Sequence, residues 1–296
     1  MSPAGLKNIL TIDVEDWFHM NYDSMSDYAD ASFEPRVEQN TERILQILSD
    51  TNSRSTMFFL GSVAENHPDL VRRAHDAGHE IASHGYGHEL VYELDRDRFR
   101  ADIERSVGIL QDITGEPLAG YRAPSWSISD RTPWFYDVLE ELGFRYSSSM
   151  FPFKTYLYGD STAPTDWYET KANGSRFVEL PSTVVEWIGR RVPFAGGFYM
   201  RALPYWAIRW ATRRVNREGR PAIYYLHPRE IDPEHPRLEL PLVDRLVSYW
   251  GLRGTERKLR KLLERTRTMS CLEYLEECGA LGSNQSTEPT ATPRTA

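Results

Sequence analysis

Two short stretches of this sequence carry side chains that could bind a catalytic metal ion. The stretch SHGYGH places His84 and His88 four residues apart, and TIDVED supplies Asp13, Glu15 and Asp16. A catalytic zinc commonly has three protein ligands, such as two histidines and a carboxylate, and a position left open for water. Because a histidine pair at this spacing is more often incidental, the metal hypothesis depends equally on the acids.

The three acids of TIDVED are not equivalent on a strand. Side chains alternate along a strand, so Asp13 and Glu15 face the same way, and Asp16 joins them only where the strand ends or bulges. We expect either Glu15 or Asp16 to bind the metal and Asp13 to act as a general base. In the alternative interpretation, Glu15 and Asp16 only cap the loop that follows.

Two further motifs stand where predicted strands end. GYRAPSW contains Arg122, and YLHP contains His227. Taken alone, Arg122 would belong to an ordinary strand end and His227 would be a core histidine. In α/β barrels, however, the carboxyl ends of the strands form the active-site face. Four separate motifs at such ends therefore favour one catalytic site.

The elements that must position these motifs follow from the hydrophobic pattern, because short apolar segments alternate with helical periodicity. The predicted strands are 8–13, 55–60, 80–84, 118–122, 144–148, 177–180 and 222–227. The predicted helices are 37–48, the segment between Pro68 and Gly78, the segment between Asp95 and Gly115, 133–142, 205–217 and 256–265. Repeated strand–helix units imply an α/β fold with a parallel sheet, and their number suggests closure into a barrel. Residues 151–173 are loop-rich, and the polar segment 282–296 is predicted to be a disordered tail.

Composition narrows the class of protein. The net charge of −8 argues against a nucleic-acid partner, which would require a basic surface. The two cysteines, Cys271 and Cys278, lie two helical turns apart and predict no disulfide. No apolar run reaches the length of a membrane span, and the segment MSPAGLKNILTID lacks the features of a secretory signal. A cytoplasmic location is the expectation.

Together, the four motifs resemble those of the polysaccharide deacetylases with a NodB homology domain, carbohydrate esterase family four. The resemblance covers Ile9 to Asp232. It is closest to the subgroup associated with bacterial exopolysaccharide and exosortase loci, which shares the DVED-W start, an AGG-FY stretch at 195–199 and an HPRE-D stretch at 227–232. It implies one deacetylase domain over 1–281, with a subgroup-specific C-terminal part from about 150.

The implied fold is a distorted (β/α)7 barrel, and the implied reaction is hydrolysis of N-acetyl groups on amino sugars of a polysaccharide or its precursor. By resemblance, Asp13 is the base, Arg122 orients it, and His227 is the general acid that protonates the leaving amine. His84 and His88 bind a divalent metal, most simply zinc. Pro124 and Trp126, in the same motif as Arg122, are expected to contact the substrate.

Two motifs depart from the usual family pattern. Most members have two adjacent aspartates in the first motif, whereas Val14 separates Asp13 from Glu15 here. Related subgroups with an Asp-x-Asp pattern favour the position of Glu15 as the metal ligand. In addition, FRYSSSMFP at 144–152 replaces a motif that usually contains Asp-Trp, so the residue that tunes His227 cannot be named from the sequence.

Other functions remain open at this stage. The same superfamily includes allantoinase-like hydrolases of cyclic amides, and a catalytically inactive carbohydrate-binding protein is a further alternative. A peripheral contact with membrane-bound polymer synthesis machinery is also considered, because LPYWAIRWATRRV offers Trp206, Trp210 and several arginines on one helix. Packing of that helix against the barrel is the simpler explanation of its tryptophans.

Overall fold

Parallel strands dominate the computed structural model, which describes residues 6–28, 32–155 and 158–281. The strands are β1 (Asn8–Val14), β2 (Thr56–Phe59), β3 (Glu80–Ser83), β4 (Gly120–Tyr121), β5 (Tyr146–Ser147), β6 (Tyr168–Ala172), β7 (Ser175–Glu179), β8 (Val184–Trp187), β9 (Arg190–Pro193), β10 (Ile223–Leu226) and β11 (Thr268–Met269). The main sheet has the order β10-β1-β2-β3-β4-β5-β7, and all of these pairings are parallel. β6 adds an antiparallel edge to β7, β11 pairs with β1, and β8 and β9 form a separate hairpin.

The helices and turns connect these strands. The helices are α1 (Val37–Asp50), α2 (Gly61–Asn66), α3 (Pro68–Asp76), α4 (Arg96–Thr114), α5 (Phe135–Glu141), α6 (Gly197–Ala202), α7 (Tyr205–Arg217), α8 (Leu242–Tyr249), α9 (Thr255–Leu263) and α10 (Cys271–Glu277). Short 3-10 turns include Pro124–Trp126 and Pro228–Ile231. None of the described helices is long and apolar enough to cross a bilayer.

Seven parallel strands with helices between them confirm the predicted α/β fold. β1 is buried along its whole length, as expected for a parallel strand covered on both faces. Between the outermost parallel strands, β10 and β7, the described residues form no continuous ladder. Ile223 instead donates its N–H to Thr183 Oγ1 at 2.8 Å, and Tyr225 donates to the Ala195 carbonyl at 3.2 Å. The barrel is therefore distorted where these two strands approach each other.

The opposite, amino-terminal end of the strands is covered by α10. The N–H of Cys271 donates to Thr56 Oγ1, and the N–H of Leu272 donates to Glu80 Oε2. Cys271 is buried and Cys278 is exposed, and both are free thiols. α10 is thus fixed to the starts of β2 and β3.

Several elements differ from the sequence prediction. The loop-rich segment 151–173 contains the strand β6, whose alternating polar residues suit an exposed edge. The hairpin β8–β9 and the short helices α2, α6 and α8 were also not predicted, since short elements carry too few residues for a clear periodicity. The helix expected around Cys271 and Cys278 is present as α10. The predicted tail at 282–296 lies outside the described residues.

Candidate active site

A cavity of about 360 Å³ opens at the carboxyl-terminal end of the parallel sheet. It lies where β1, β3, β4 and β10 end, because parallel strands present their carboxyl ends at the same edge of a sheet. Side chains from all four sequence motifs line it, namely Asp13, Glu15, His84, His88, Trp126 and His227. The fold thus brings together motifs that are more than two hundred residues apart in the sequence.

Glu15, His84 and His88 form a group with the geometry of a metal site. One potential ligand atom from each side chain lies within 4.8 Å of the others. The carboxylate oxygen Oε2 of Glu15 is 2.5 Å from His88 Nε2 and 3.8 Å from His84 Nε2. All three side chains are buried. Two imidazoles and one carboxylate match a common ligand set of catalytic zinc.

The hydrogen bonds around this group also fit a divalent cation. Glu15 Oε2 is buried and makes no hydrogen bond of normal geometry; its polar neighbours are the Nε2 atoms of the two imidazoles, an arrangement that a bound ion would satisfy. His84 Nδ1 lies 2.8 Å from the Arg122 carbonyl, which fixes the tautomer and leaves Nε2 free to bind a metal. Burial lowers the pKa of His84 to about 4, so the imidazole is neutral, as a metal ligand must be.

The loop that carries the histidines is held by α4. Asp102 accepts the N–H groups of Tyr86 at 2.8 Å and Gly87 at 3.0 Å. Gly85 has a φ of +76°, and a Cβ atom there would lie 2.7 Å from Asp102 Oδ2, so the position requires glycine. His88 itself has a φ of +59°, an uncommon conformation for a residue with a side chain. Backbone strain of this kind is typical of functional sites.

Asp16 lies outside the metal-binding group. Its carboxylate accepts hydrogen bonds from the N–H groups of Trp17 at 2.8 Å, Arg36 at 2.9 Å and Val37 at 3.1 Å. Arg36 and Val37 stand at the start of α1, where the backbone N–H groups have no partner within the helix. The two neighbouring acids therefore have separate surroundings, one beside the histidines and the other at a helix start.

Asp13 is paired with Arg122 below the cavity. Arg122 Nη1 donates to Asp13 Oδ1 at 2.7 Å and to Thr11 Oγ1 at 2.8 Å. Its Nε and Nη2 donate to the carbonyl and hydroxyl oxygens of Ser148. The guanidinium also lies over the Phe58 ring, 4.2 Å from its centre. These contacts fix a buried guanidinium in one orientation, and it holds Oδ1 while Oδ2 remains available.

His227 approaches the acids from β10. Its Nε2 is 3.8 Å from both Asp13 Oδ2 and Glu15 Oε1. Burial acts to lower the pKa of His227, but the negative charges of Glu15, Glu230 and Asp13 outweigh it, and the pKa is raised. A histidine with a raised pKa keeps its proton to higher pH than a free imidazole does, which suits it to act as an acid.

Glu230 is a site residue that the sequence analysis did not identify. Its Oε2 accepts the His227 backbone N–H at 3.2 Å and lies 3.6 Å from His227 Nδ1. Its Oε1 accepts from Arg201 Nε at 3.0 Å. Burial acts to raise the pKa of Glu230, but the contact with His227 and the charge of Arg201 lower it to about 2. The sequence signal that could have identified Glu230 is its position three residues after His227, which is the spacing of a capping box.

An aromatic cluster forms one wall of the cavity. Trp126 packs against Phe151, Tyr158 and Tyr225, with ring centres 4.7 to 5.3 Å apart. Trp126 and the preceding Ser125 both have positive φ values, of 48° and 51°. Pro124 is buried at the start of the same turn and, unlike Trp126, is not among the residues that line the cavity. Aromatic faces of this kind can pack against the apolar faces of sugar rings.

His19 is another cavity residue that the sequence analysis did not single out. Its Nδ1 accepts the Asp16 N–H at 3.0 Å, and its ring centre is 5.7 Å from that of His88. Burial lowers the pKa of His19 to about 4. The sequence placed His19 in no motif, so only the folded chain connects it with the other histidines.

Comparison with protein families divides the chain into two matched segments. Residues 19–147 match the family described as polysaccharide deacetylase, and residues 148–276 match a domain of unknown function, DUF3473. The first segment includes His84, His88 and Arg122, and the second includes His227 and Glu230. Both segments supply strands to the main sheet.

Individual relatives agree with the first match. A peptidoglycan deacetylase of Helicobacter pylori is 30% identical over 134 residues, which are 44% of this chain and 45% of that protein. A chitooligosaccharide deacetylase of Sinorhizobium fredii is 27% identical over 187 residues, 55% of this chain and 84% of that protein. The chain spans less than half the length of the first of these relatives.

Solved structures show the same fold. A structure from Mycobacterium smegmatis, provisionally described as a polysaccharide deacetylase, has a TM-score of 0.62 at 20% identity and covers 99% of this chain and 97% of that one. The Puue allantoinase has a TM-score of 0.56 at 18% identity, covering 92% and 89%. At these identities the similarity concerns the fold alone. By family comparison, residues 19–147 therefore match the polysaccharide deacetylase family, and residues 148–276 match a domain of unknown function.

Proposed function

We propose that this protein is a metal-dependent hydrolase that removes N-acetyl groups from amino sugars of a polysaccharide or its precursor. The observation that carries the proposal is the convergence of a base, an acid and a metal-binding group on one cavity. His227 Nε2 lies 3.8 Å from Asp13 Oδ2 and 3.8 Å from Glu15 Oε1. The deacetylase relatives and the family match over residues 19–147 support the same reaction.

Glu15, His84 and His88 would hold the metal ion, which we propose to be zinc. A bound divalent cation would supply Lewis acidity that polarises the acetyl carbonyl and lowers the pKa of a water molecule. Glu15 is proposed as the carboxylate ligand because its Oε2 is buried and unsatisfied beside both imidazoles. Asp16 is occupied by three backbone N–H groups, that of Trp17 and those of Arg36 and Val37 at the start of α1.

Asp13 is proposed to accept the proton of the attacking water. Arg122 holds one carboxylate oxygen, Oδ1, through a 2.7 Å hydrogen bond, so that Oδ2 faces the cavity side occupied by His227. A general base must be held within hydrogen-bond reach of the proton that it removes. Arg122 therefore acts as a positioning residue for Asp13.

His227 is proposed to protonate the leaving amine. An amine anion is a poor leaving group, so cleavage of the C–N bond requires a proton on nitrogen. Glu230 faces the other ring nitrogen of His227 and favours the charged imidazolium, and Arg201 holds Glu230 in place. Trp126 is proposed to pack against the sugar, with Pro124 supporting the turn that presents it.

The experiment that tests the function is mass spectrometry of N-acetylated chitooligosaccharides after incubation with zinc-loaded protein. We expect products that have lost acetyl groups, with release of acetate. Asp13→Asn protein should bind zinc normally and yield no product, because an amide cannot accept the proton. An exposed variant, Asp130→Asn, serves as the control and should retain activity. Turnover of allantoin without deacetylation, or normal turnover by Asp13→Asn, would contradict the proposal.

The finer expectations about the setting remain predictions. They are membership of the subgroup linked to exopolysaccharide and exosortase loci, contact with membrane-bound polymer synthesis machinery, and a cytoplasmic location. The division at about residue 150 is likewise proposed to separate a catalytic part common to the family from a subgroup-specific part. Glu230 and Arg201 lie in this second part, so we propose that it completes the catalytic site.

A further inference from the structure

The outward face of α7 carries tryptophans and arginines that the proposed reaction does not use. The helix buries Ile208 and Val215 against the barrel. The opposite face presents Trp206, Trp210, Arg213 and Arg217, spaced four, three and four residues apart, and this spacing places them in one stripe. Trp206 is 72% exposed. Packing against the barrel, the simpler explanation of these tryptophans in the sequence, is therefore wrong for Trp206.

The tip of the β8–β9 hairpin extends this stripe. Trp187 contacts Trp210, with ring centres 6.4 Å apart. The next residue, Ile188, is 82% exposed and has a φ of +51°. Two-residue hairpin turns with positive φ favour Asn followed by Gly, and a β-branched residue is strained there. The chain therefore places a large apolar side chain at the most exposed point of a turn where a polar residue would fold more easily.

Unpaired positive charge surrounds these apolar groups. Arg209, Arg213 and Arg217 are exposed, and no described acidic side chain forms an ion pair with any of them. Lys261 from α9 and Arg265, which follows that helix, border the same surface. This concentration of positive charge contrasts with the net charge of −8 for the whole chain. We call this region the Trp–Arg surface. It consists of Trp187, Ile188, Trp206, Trp210, Arg209, Arg213, Arg217, Lys261 and Arg265.

We propose that the Trp–Arg surface docks the protein on a membrane that contains anionic lipids. Ile188 enters the acyl boundary, the tryptophans lie at the level of the lipid headgroups, and the arginines contact lipid phosphates. Each cation near an anionic bilayer adds to the affinity, and the attraction falls with ionic strength. This docking is independent of the proposed deacetylation, because none of its residues lines the catalytic cavity.

A bilayer fits these features better than a soluble polymer does. A polyanion would use the arginines, and a sugar chain would stack on the tryptophans, but neither needs an exposed aliphatic side chain at a strained turn. The bilayer offers an apolar layer, an interface that tryptophan prefers and an anionic surface, in this order from its interior outward. The three kinds of side chain on the Trp–Arg surface correspond to these three layers.

Flotation of the full chain with lipid vesicles tests the proposal. The vesicles are phosphatidylcholine alone, or phosphatidylcholine with a minor fraction of phosphatidylglycerol, at low and high ionic strength. We expect the protein to float with the anionic vesicles at low ionic strength, to float weakly at high ionic strength, and to remain at the bottom with phosphatidylcholine alone.

Variants locate the surface and have matched controls. Ile188→Asn suits the positive φ of the turn, so it should fold at least as well as the wild type and still bind anionic vesicles about fivefold more weakly. Trp206→Ala should weaken vesicle binding by a similar factor. Trp250→Ala removes another tryptophan that is 58% exposed, and it should leave vesicle binding unchanged. Arg213→Gln/Arg217→Gln should weaken binding by about tenfold or more. The control Arg72→Gln/Arg98→Gln removes the same charge from α3 and α4 and should bind like the wild type.

Three results would overturn the proposal. The first is that the wild type floats with neither kind of vesicle. The second is that the control variants lose as much binding as the variants of the Trp–Arg surface, which would show an effect of net charge or stability. The third is that a soluble anionic polysaccharide binds the wild type, and loses binding in the surface variants, while anionic vesicles bind neither.

Discussion

Two adjacent acids, Glu15 and Asp16, show how single residues with similar chemistry come to differ in role. Burial acts to raise the pKa of Glu15, but the charges of His88 and His227 outweigh this effect and lower it. Asp16 accepts backbone N–H groups at the start of α1, and burial raises its pKa. Since the side chains point to different partners, substitution of each acid should produce a different defect.

We therefore predict opposite outcomes for Glu15→Gln and Asp16→Asn. Glu15→Gln should lower zinc affinity by about a hundredfold, because an amide oxygen is a weaker ligand than a carboxylate. Asp16→Asn should retain zinc and instead lose about 1 kcal/mol of the free energy of unfolding, the typical value of a helix cap. Equilibrium dialysis with zinc and urea unfolding of the zinc-free proteins measure the two effects. Retention of zinc by Glu15→Gln together with its loss in Asp16→Asn would exchange the two assignments.

The pair His227 and Glu230 leads to a prediction about pH. The negative charge of Glu230 is one of the influences that raise the pKa of His227, so Glu230→Gln should lower that pKa. The alkaline limb of the pH–kcat profile reports loss of the proton from the general acid, and it should therefore move to lower pH. Glutamine still accepts a hydrogen bond from Arg201. The exposed variant Glu264→Gln is the control, and an unchanged alkaline limb in Glu230→Gln would count against His227 as the acid.

At the level of elements, the loop between β3 and the second histidine depends on its packing against α4. Asp102 holds two backbone N–H groups of this loop, and Gly85 leaves the space that Asp102 occupies. The strand ends at Ser83, so everything that positions His88 is a turn supported by the neighbouring helix. The geometry of the proposed metal site is thus linked to a contact between two elements.

We predict that Gly85→Ala damages both stability and metal binding. Gly115 is the matched control, since it also has a positive φ, of 72°, but a Cβ atom there would contact nothing within 4 Å. Gly115→Ala should lower the free energy of unfolding by about 1 kcal/mol through backbone strain alone. Gly85→Ala should lose more and should also bind zinc more weakly, because Asp102 must move. Equal stability losses with unchanged zinc affinity would show that the loop tolerates the shift.

For the whole molecule, the buried pair Arg201–Glu230 connects segments that are distant in sequence. Arg201 belongs to α6, Glu230 to the turn after β10, and Arg201 also donates to the carbonyls of Val247, Ser248 and Trp250 at the end of α8. Both side chains are buried. One guanidinium therefore joins three segments of the C-terminal half beneath the catalytic cavity.

We predict that Arg201→Met lowers the free energy of unfolding by about 3 to 5 kcal/mol, because it leaves the buried Glu230 without the guanidinium that faces its Oε1. An exposed pair gives the control: Arg98→Gln, which loses contact with Glu89, should change stability by less than about 1 kcal/mol. The pKa of Glu230 is lowered to about 2, so the contribution of the pair is complete above the ordinary pKa of a glutamate, about 4.5. It should disappear as the pH falls toward 2, and the two proteins should then differ less in urea unfolding. A difference that is independent of pH would assign the loss to packing.

The sequence determined the parts of this protein that depend on local pattern. The strands at the four motifs and the long helices α1, α4 and α7 follow from periodicity, from the cap at Asp95, whose side chain accepts the Arg98 N–H, and from the left-handed Gly115. The convergence of the motifs could also be expected, because parallel strands present their carboxyl ends together.

Only the tertiary structure decided which of these groups meet. The different surroundings of Glu15 and Asp16 depend on where the start of α1 lies. The position of Glu230 beside His227 depends on Arg201, which comes twenty-six residues before His227. The exposure of Trp206 and Ile188 could not be predicted from the sequence either, because apolar residues of these types are expected in a buried core. The periodicity of a sequence shows which side of a helix or strand is apolar. Whether another element covers that side depends on long-range packing.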